Sequence, residues 1–186
     1  MNCALATRKK NFMKKTNILI LVFLMITVGQ FASAIYLPSM PFMVRYFNTT
    51  KSYVQWTVTA YYLSYGLSQF IYGPLSDWFG RRKIAIYSLY LFILATILAI
   101  FSQSIGLLIF ACFLQGMGIG SCGMLSRTTP RDLYSGPALL KANAWINIVV
   151  VLTPLFAPVL GGYIQEHLGR WQYDFLFLLA YGLLIL

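Results

Sequence analysis

The chain has 186 residues, of which 59% are hydrophobic and 10% charged. An ordinary soluble domain carries about 25% charged residues, so this composition excludes a polar-coated globule and implies lipid as the solvent. The net charge is +10, but the cations gather at the ends of apolar runs. That pattern fits membrane orientation and argues against nucleic acid as a partner.

The first segment, residues 1–17, is a basic tail with Arg8, Lys9, Lys10, Lys14 and Lys15. Apolar runs then predict an all-α membrane protein with helices at about 18–37, 53–72, 84–101, 105–125, 144–164 and 173–186, a six-helix transmembrane bundle over residues 18–186. The first five reach or approach the roughly 20 residues that cross a bilayer. The sixth apolar run, Phe175 to Leu186, has 12 residues. It rises only about 18 Å against a hydrocarbon core of about 30 Å. The expectation is a truncated sixth helix and a longer parent protein.

The N-terminus admits a second reading. Ala32, Ser33 and Ala34 after a basic segment and an apolar run resemble a signal-peptide cleavage site, although a twenty-residue run favours an uncleaved helix. Met13, followed by its own Lys14 and Lys15, is an alternative start to Met1. Either way, eleven of the fourteen cations fall in the tail, after the second run (Arg81, Arg82, Lys83) and after the fourth (Arg127, Arg131, Lys141). The positive-inside rule places these segments, and the N-terminus, in the cytoplasm of a multi-pass protein of the cell inner (plasma) membrane.

Catalytic chemistry is not evident. The single histidine, His167, lies beyond the fifth run, and no zinc-protease, nucleophile-elbow or phosphate-loop pattern occurs. Cys3, Cys112 and Cys122 have no metal-ligand spacing. Neither an enzyme nor a cofactor or metal is expected.

The stretch GPLSDWFGRRK, Gly73 to Lys83, asks for more than orientation. Gly73 and Pro74 read as the end of a helix. Asp77 stands four residues before Arg81, a spacing that pairs charges within one helical turn, and Gly80 permits a tight reversal. This stretch resembles motif A of the major facilitator superfamily, with Gly73, Asp77, Gly80, Arg81 and Arg82 all in place. LPSMP (Leu37 to Pro41), LQGMGIG (Leu114 to Gly120) and APVLGG (Ala157 to Gly162) resemble stretches of its drug:proton antiporters with twelve spans.

The resemblance implies the N-terminal six-helix half of that fold and a proton-coupled multidrug efflux transporter. Its partners would be lipophilic small molecules, protons, the bilayer and the missing C-terminal half. Two positions depart from the pattern: Cys112 stands where relatives usually carry arginine, and Ala34 where they often carry an acid. Asp77, Asp132, Glu166 and Asp174 all lie at or beyond helix ends. Proton coupling would then rest on the missing half or on an end-of-helix group such as Glu166.

In transporters of this architecture the two halves are each built from inverted repeats with the binding site near the midplane. Gly29-Gln30 and Gln115-Gly116 would lie at matching depth, either facing a cavity or bonding a neighbouring helix. Tyr61, Tyr65, Ser68 and Tyr72 share one helical face. Tyr61 and Tyr65 near its centre form a candidate stacking surface, with Gln30 and Gln115 as neutral hydrogen-bonding groups. Gly116 and Gly120 form a G-x-x-x-G packing face. Pro154 and Pro158 would kink helix five, with Gly161 and Gly162 packing closely.

On the cytoplasmic side, Asp77 and Arg81 with Arg127, Arg131 or Asp132 would form a charge cluster. Thr129, Pro130 and Asp132 read there as N-cap, N1 and N3 of a short separate helix. The alternatives are an inactive fragment of such a transporter, or a sugar or metabolite carrier of the same superfamily.

Overall fold

The computed structural model describes residue 20 and residues 22–186. The tail of residues 1–17 and the start of the first apolar run lie outside the described residues. Among the described residues seven helices follow in order: α1 (Val22–Ala34), α2 (Met40–Tyr46), α3 (Lys51–Phe79), α4 (Arg81–Ile100), α5 (Ile105–Leu133), α6 (Gly136–Leu168) and α7 (Gln172–Ile185). There is no strand among the described residues. Arg81–Ile100, Ile105–Asp132 and Gly136–Leu168 are each long and apolar enough to cross a membrane. The 29 residues of α3 rise about 43 Å, but tyrosine, serine and glutamine dilute their apolar character.

Helix ends depart most from the sequence expectation. α3 does not stop at Gly73; it runs through Pro74 and ends at Phe79. α5 runs through Pro130 to Leu133, so Thr129, Pro130 and Asp132 do not begin a separate helix. α6 runs through both Pro154 and Pro158. A proline inside a helix removes one backbone bond and crowds the carbonyl four residues back. For Pro74 that carbonyl belongs to Phe70, which is 81% exposed and can turn outward. Ser76 Oγ donates to the Gly73 carbonyl at 2.9 Å, adding a side-chain bond within the same turn. Gly80 is what ends α3: its φ of +87° suits glycine, and α4 starts at the next residue. α2 was not expected; Pro41 in its first turn supplies a preset φ for so short a helix.

α5 is the centre of the bundle, packed between α3 and α4. Lipid tails are as apolar as leucine, so close van der Waals packing must hold membrane helices together. Glycine provides it here. Gly116, Gly120 and Gly123 lie on one face of α5, where an added Cβ would meet the Tyr61 carbonyl, Ser68 Oγ and the Tyr65 phenol of α3. Gly118 points the other way, and its Cβ would come within 2.5 Å of the Phe92 backbone nitrogen of α4. The expected G-x-x-x-G packing face is present.

α1 is held from several sides. Phe31 meets Phe177 and Tyr181 of α7 edge-on, at 5.8 and 6.1 Å between ring centroids. Thr27 and Tyr181 share a hydroxyl hydrogen bond. Just beyond α1, the Ile35 carbonyl occupies the space a Cβ on Gly161 of α6 would need. Val151, Leu155 and Val159 on α6, and Leu63, Leu67 and Phe70 on α3, form exposed apolar stripes suited to lipid or to another membrane-embedded surface.

Candidate functional site

A cavity of about 140 Å³ lies between α1, α3, α5 and α6. Gln30 and Ser33 line it from α1, Tyr61 and Tyr65 from α3, Ser126 and Arg127 from α5, and Ile146 and Asn147 from α6. Each reaches the cavity by helical periodicity: Tyr61 and Tyr65 are one turn apart on α3, and Gln30 and Ser33 one turn apart on α1.

The two tyrosines are parallel, with an interplanar angle of 5° and centroids 6.4 Å apart. They are not equivalent. Tyr61 is only 2% exposed, and its hydroxyl donates to the Gly29 carbonyl at 2.7 Å, tying α3 to α1. Tyr65 is partly exposed, and its phenol head sits over Gly123, where a Cβ would collide with it. Tyr65 therefore presents the usable ring face, with Tyr61 fixed behind it.

The two glutamines also part company. Gln30 lines the cavity. Gln115 is fully buried and outside it, and its Nε2 donates to Thr96 Oγ1 of α4 at 2.8 Å. Of the two sequence readings, bonding a neighbouring helix is the one Gln115 follows. Its glycine neighbour Gly116 faces α3 while the amide faces α4, so matching sequence patterns do not give matching environments. Of the remaining members of the aromatic face, Ser68 is buried against Gly120. Tyr72 borders a separate shallow groove with Leu75 and Tyr87.

α6 was missed as a cavity wall. Asn147 is the only amide in the apolar run 144–164, and that isolated polar group was the available signal. Further along α6, Gly161 closes on Ile35, and Gly162 lies 3.9 Å from Pro38 by its would-be Cβ. The helix-five motif, with Pro154 and Pro158 two turns and one turn before Gly161, thus meets the LPSMP segment.

At the opposite end, Arg81 forms an ion pair with Asp132, joining the start of α4 to the end of α5. Asp77 makes no ion pair within 4.0 Å among the described residues and is exposed. The expected Asp77–Arg81 helical pair does not form because Gly80 breaks the helix between them. Arg82, Arg127 and Arg131 also make no ion pair among the described residues. The charge cluster is thus one bridge, Arg81–Asp132, flanked by solvated charges.

Apolar helices are packed around a small cavity lined by amides, hydroxyls and aromatic rings. The chain belongs to the Major Facilitator Superfamily of membrane transporters, whose sequence profile matches residues 22–186.

Multidrug resistance protein D of Escherichia coli (strain K12) is 40% identical over 167 residues, 90% of this chain and 42% of that protein. The chloramphenicol resistance protein of Pseudomonas aeruginosa is 30% identical over 175 residues, 91% of this chain and 41% of that protein. A bicyclomycin resistance protein homolog of Haemophilus influenzae is 30% identical over 175 residues, covering 94% and 44%. The chain spans about two fifths of the length of these curated relatives.

Proposed function

We propose that this chain forms the N-terminal half of a proton-coupled multidrug exporter in the inner membrane, with its N-terminus in the cytoplasm. The cavity beside Tyr65 carries the reading. It offers one open ring face, neutral amides at Gln30 and Asn147 and, among the described residues, a single charged lining residue, Arg127. Such a site holds flat lipophilic compounds by area burial and ring contact, each aromatic contact contributing about 0.5–2 kcal/mol. Arg127 is exposed at the cavity edge, so neutral aromatic compounds are carried at least as well as cations. The relatives' resistance names support drugs as the substrate class. Alternating access needs one half to rock against another, and the apolar stripes on α3 and α6 are surfaces for that partner or for lipid.

The test is dye export by cells expressing this chain followed by a second six-helix half. They should retain less ethidium than control cells, and collapse of the proton gradient should abolish the difference. Tyr65→Ala should weaken apparent affinity by about 2- to 30-fold, the factor corresponding to one lost ring contact, and Tyr65→Phe much less. Unchanged export in Tyr65→Ala would remove the cavity from the pathway.

Orientation is tested separately by labelling single cysteines with an impermeant maleimide in intact cells. Cysteine at Lys51 or Arg170 should react, and cysteine at Lys83 should not; the reverse result would invert the topology. Gln165, adjacent in sequence to the exposed Glu166, is unsuitable as an outer-face reporter because it is buried.

A further inference from the structure

Away from the cavity, at the other end of the bundle from Arg81, the turn between α1 and α2 meets the end of α6 and the start of α7. Ser39, Gln165, Trp171 and Asp174 are all buried there, Asp174 completely. Glu166, the end-of-helix acid singled out from sequence, is exposed one residue beyond Gln165; Asp174 is the acid the fold encloses.

Ser39 Oγ lies 2.5 Å from Asp174 Oδ2 and 3.1 Å from Gln165 Oε1. A serine has one hydroxyl hydrogen and cannot donate to both oxygens. Two arrangements satisfy the count. With a proton on Asp174, the acid donates to Ser39, and Ser39 donates to Gln165 Oε1. With Asp174 ionised, Ser39 donates to the carboxylate, and Gln165 turns its amide over so that Nε2 donates to Ser39. The two forms differ by one proton on Asp174, a half-turn of one amide and the direction of the hydrogen-bond chain.

The surroundings provide no fixed counter-charge. No Lys, Arg or His among the described residues lies within 4.0 Å of the carboxylate. The titratable or charged groups on the elements around it are Tyr36 on the turn, Arg45 and Tyr46 on α2, Tyr163, Glu166 and His167 near the end of α6, Arg170 and Tyr173 beside it, and Tyr181 two turns along α7; Lys141 lies at the far end of α6. α4, which also packs on α7, carries Arg81, Arg82, Lys83, Tyr87 and Tyr90 in its first half, away from this end. A buried carboxylate without a paired cation is costly. Asp174 Oδ1, Gln165 Nε2 and Trp171 Nε1 are, moreover, buried without a hydrogen-bond partner among the described residues.

We infer that Asp174 is a reversible proton-binding site whose occupancy sets the direction of the Asp174–Ser39–Gln165 chain, and so how the α1–α2 turn is tied to α6 and α7. The site is read on this chain without any substrate, so it stands or falls independently of the transport function.

Infrared difference spectra of the purified chain in lipid nanodiscs, between about pH 8 and about pH 5, provide the test. Exposed carboxylates stay largely ionised over that range. One carboxylic-acid C=O stretch should grow in as pH falls. It should be missing from Asp174→Asn, shifted in frequency in Ser39→Ala and close to the parent frequency in Ser39→Thr, which keeps the hydroxyl. No such band, or a band that persists in Asp174→Asn, overturns the proton site. A band unmoved by Ser39→Ala overturns the hydrogen-bond chain, and that variant decides the matter if Asp174→Asn does not fold.

Discussion

Gly116→Ala is expected to lower the thermal stability of the protein in detergent or lipid, and Gly66→Ala to leave it unchanged or raise it. Both glycines are helical, so propensity alone favours alanine by up to about 1 kcal/mol at each. The difference lies in what surrounds them. Nothing lies within 4 Å of a Cβ on Gly66, whereas a Cβ on Gly116 would run into the Tyr61 carbonyl and Ser64 Oγ. Ser64 can rotate; a backbone carbonyl inside α3 cannot. Relief requires α3 to move off α5, an overpacking cost of about 1–3 kcal/mol or more, which exceeds the propensity gain. The shift also disturbs the cavity, because Tyr61 is held by the Gly29 carbonyl on its far side. Differential scanning fluorimetry on the two variants checks the sign at each site, and equal behaviour would remove the close α3–α5 contact.

Reversal of either charge in the Arg81–Asp132 bridge is expected to affect transport far more than stability. Both side chains are partly exposed, 38% and 52%, so the pair contributes at most about 1 kcal/mol to folding. Its leverage is positional. Gly80 is the only residue between α3 and α4, and the bridge fixes α4 against α5 immediately beyond that joint. Arg81→Asp or Asp132→Arg alone places like charges at this point. Either should slow dye export by about tenfold or more in a polypeptide with both halves, within the usual range for coupling between conformations. The exchanged double variant should recover most of the loss. A double variant as slow as the singles would show that each residue acts separately.

The fold was legible in the sequence because its strongest signals are collective. Long uncharged runs gave every helix except the seven-residue α2, and the glycines of LQGMGIG gave the packing face. Boundaries were less legible because Pro74 was read as a helix end and Pro130 as the start of a new helix. Pro74, Pro130, Pro154 and Pro158 all sit inside continuous helices; losing one backbone bond does not end a helix whose neighbours hold it in place. The cavity was legible at Gln30 and Tyr65, where spacing alone sets the facing. It was not legible at Gln115 or Asn147, since which neighbour an amide meets depends on the arrangement of all the helices. Asp174 shows the same limit. Position near a helix end implied solvent, but the α1–α2 turn, which covers that end, comes from residues more than a hundred positions away.

The glycine-lined faces of α5 also bear on how the chain assembles during synthesis. α3 and α4 emerge first, joined by one residue, yet each meets α5 far more extensively than it meets the other. The pair is therefore an open clasp that must wait for its third member. Until α5 arrives, Ser64 and Ser68, whose hydroxyls bond to their own helix, line a slot shaped by backbone rather than by bulky side chains. A helix with larger residues at 116, 118 and 120 would reach the membrane on time and find no room to enter.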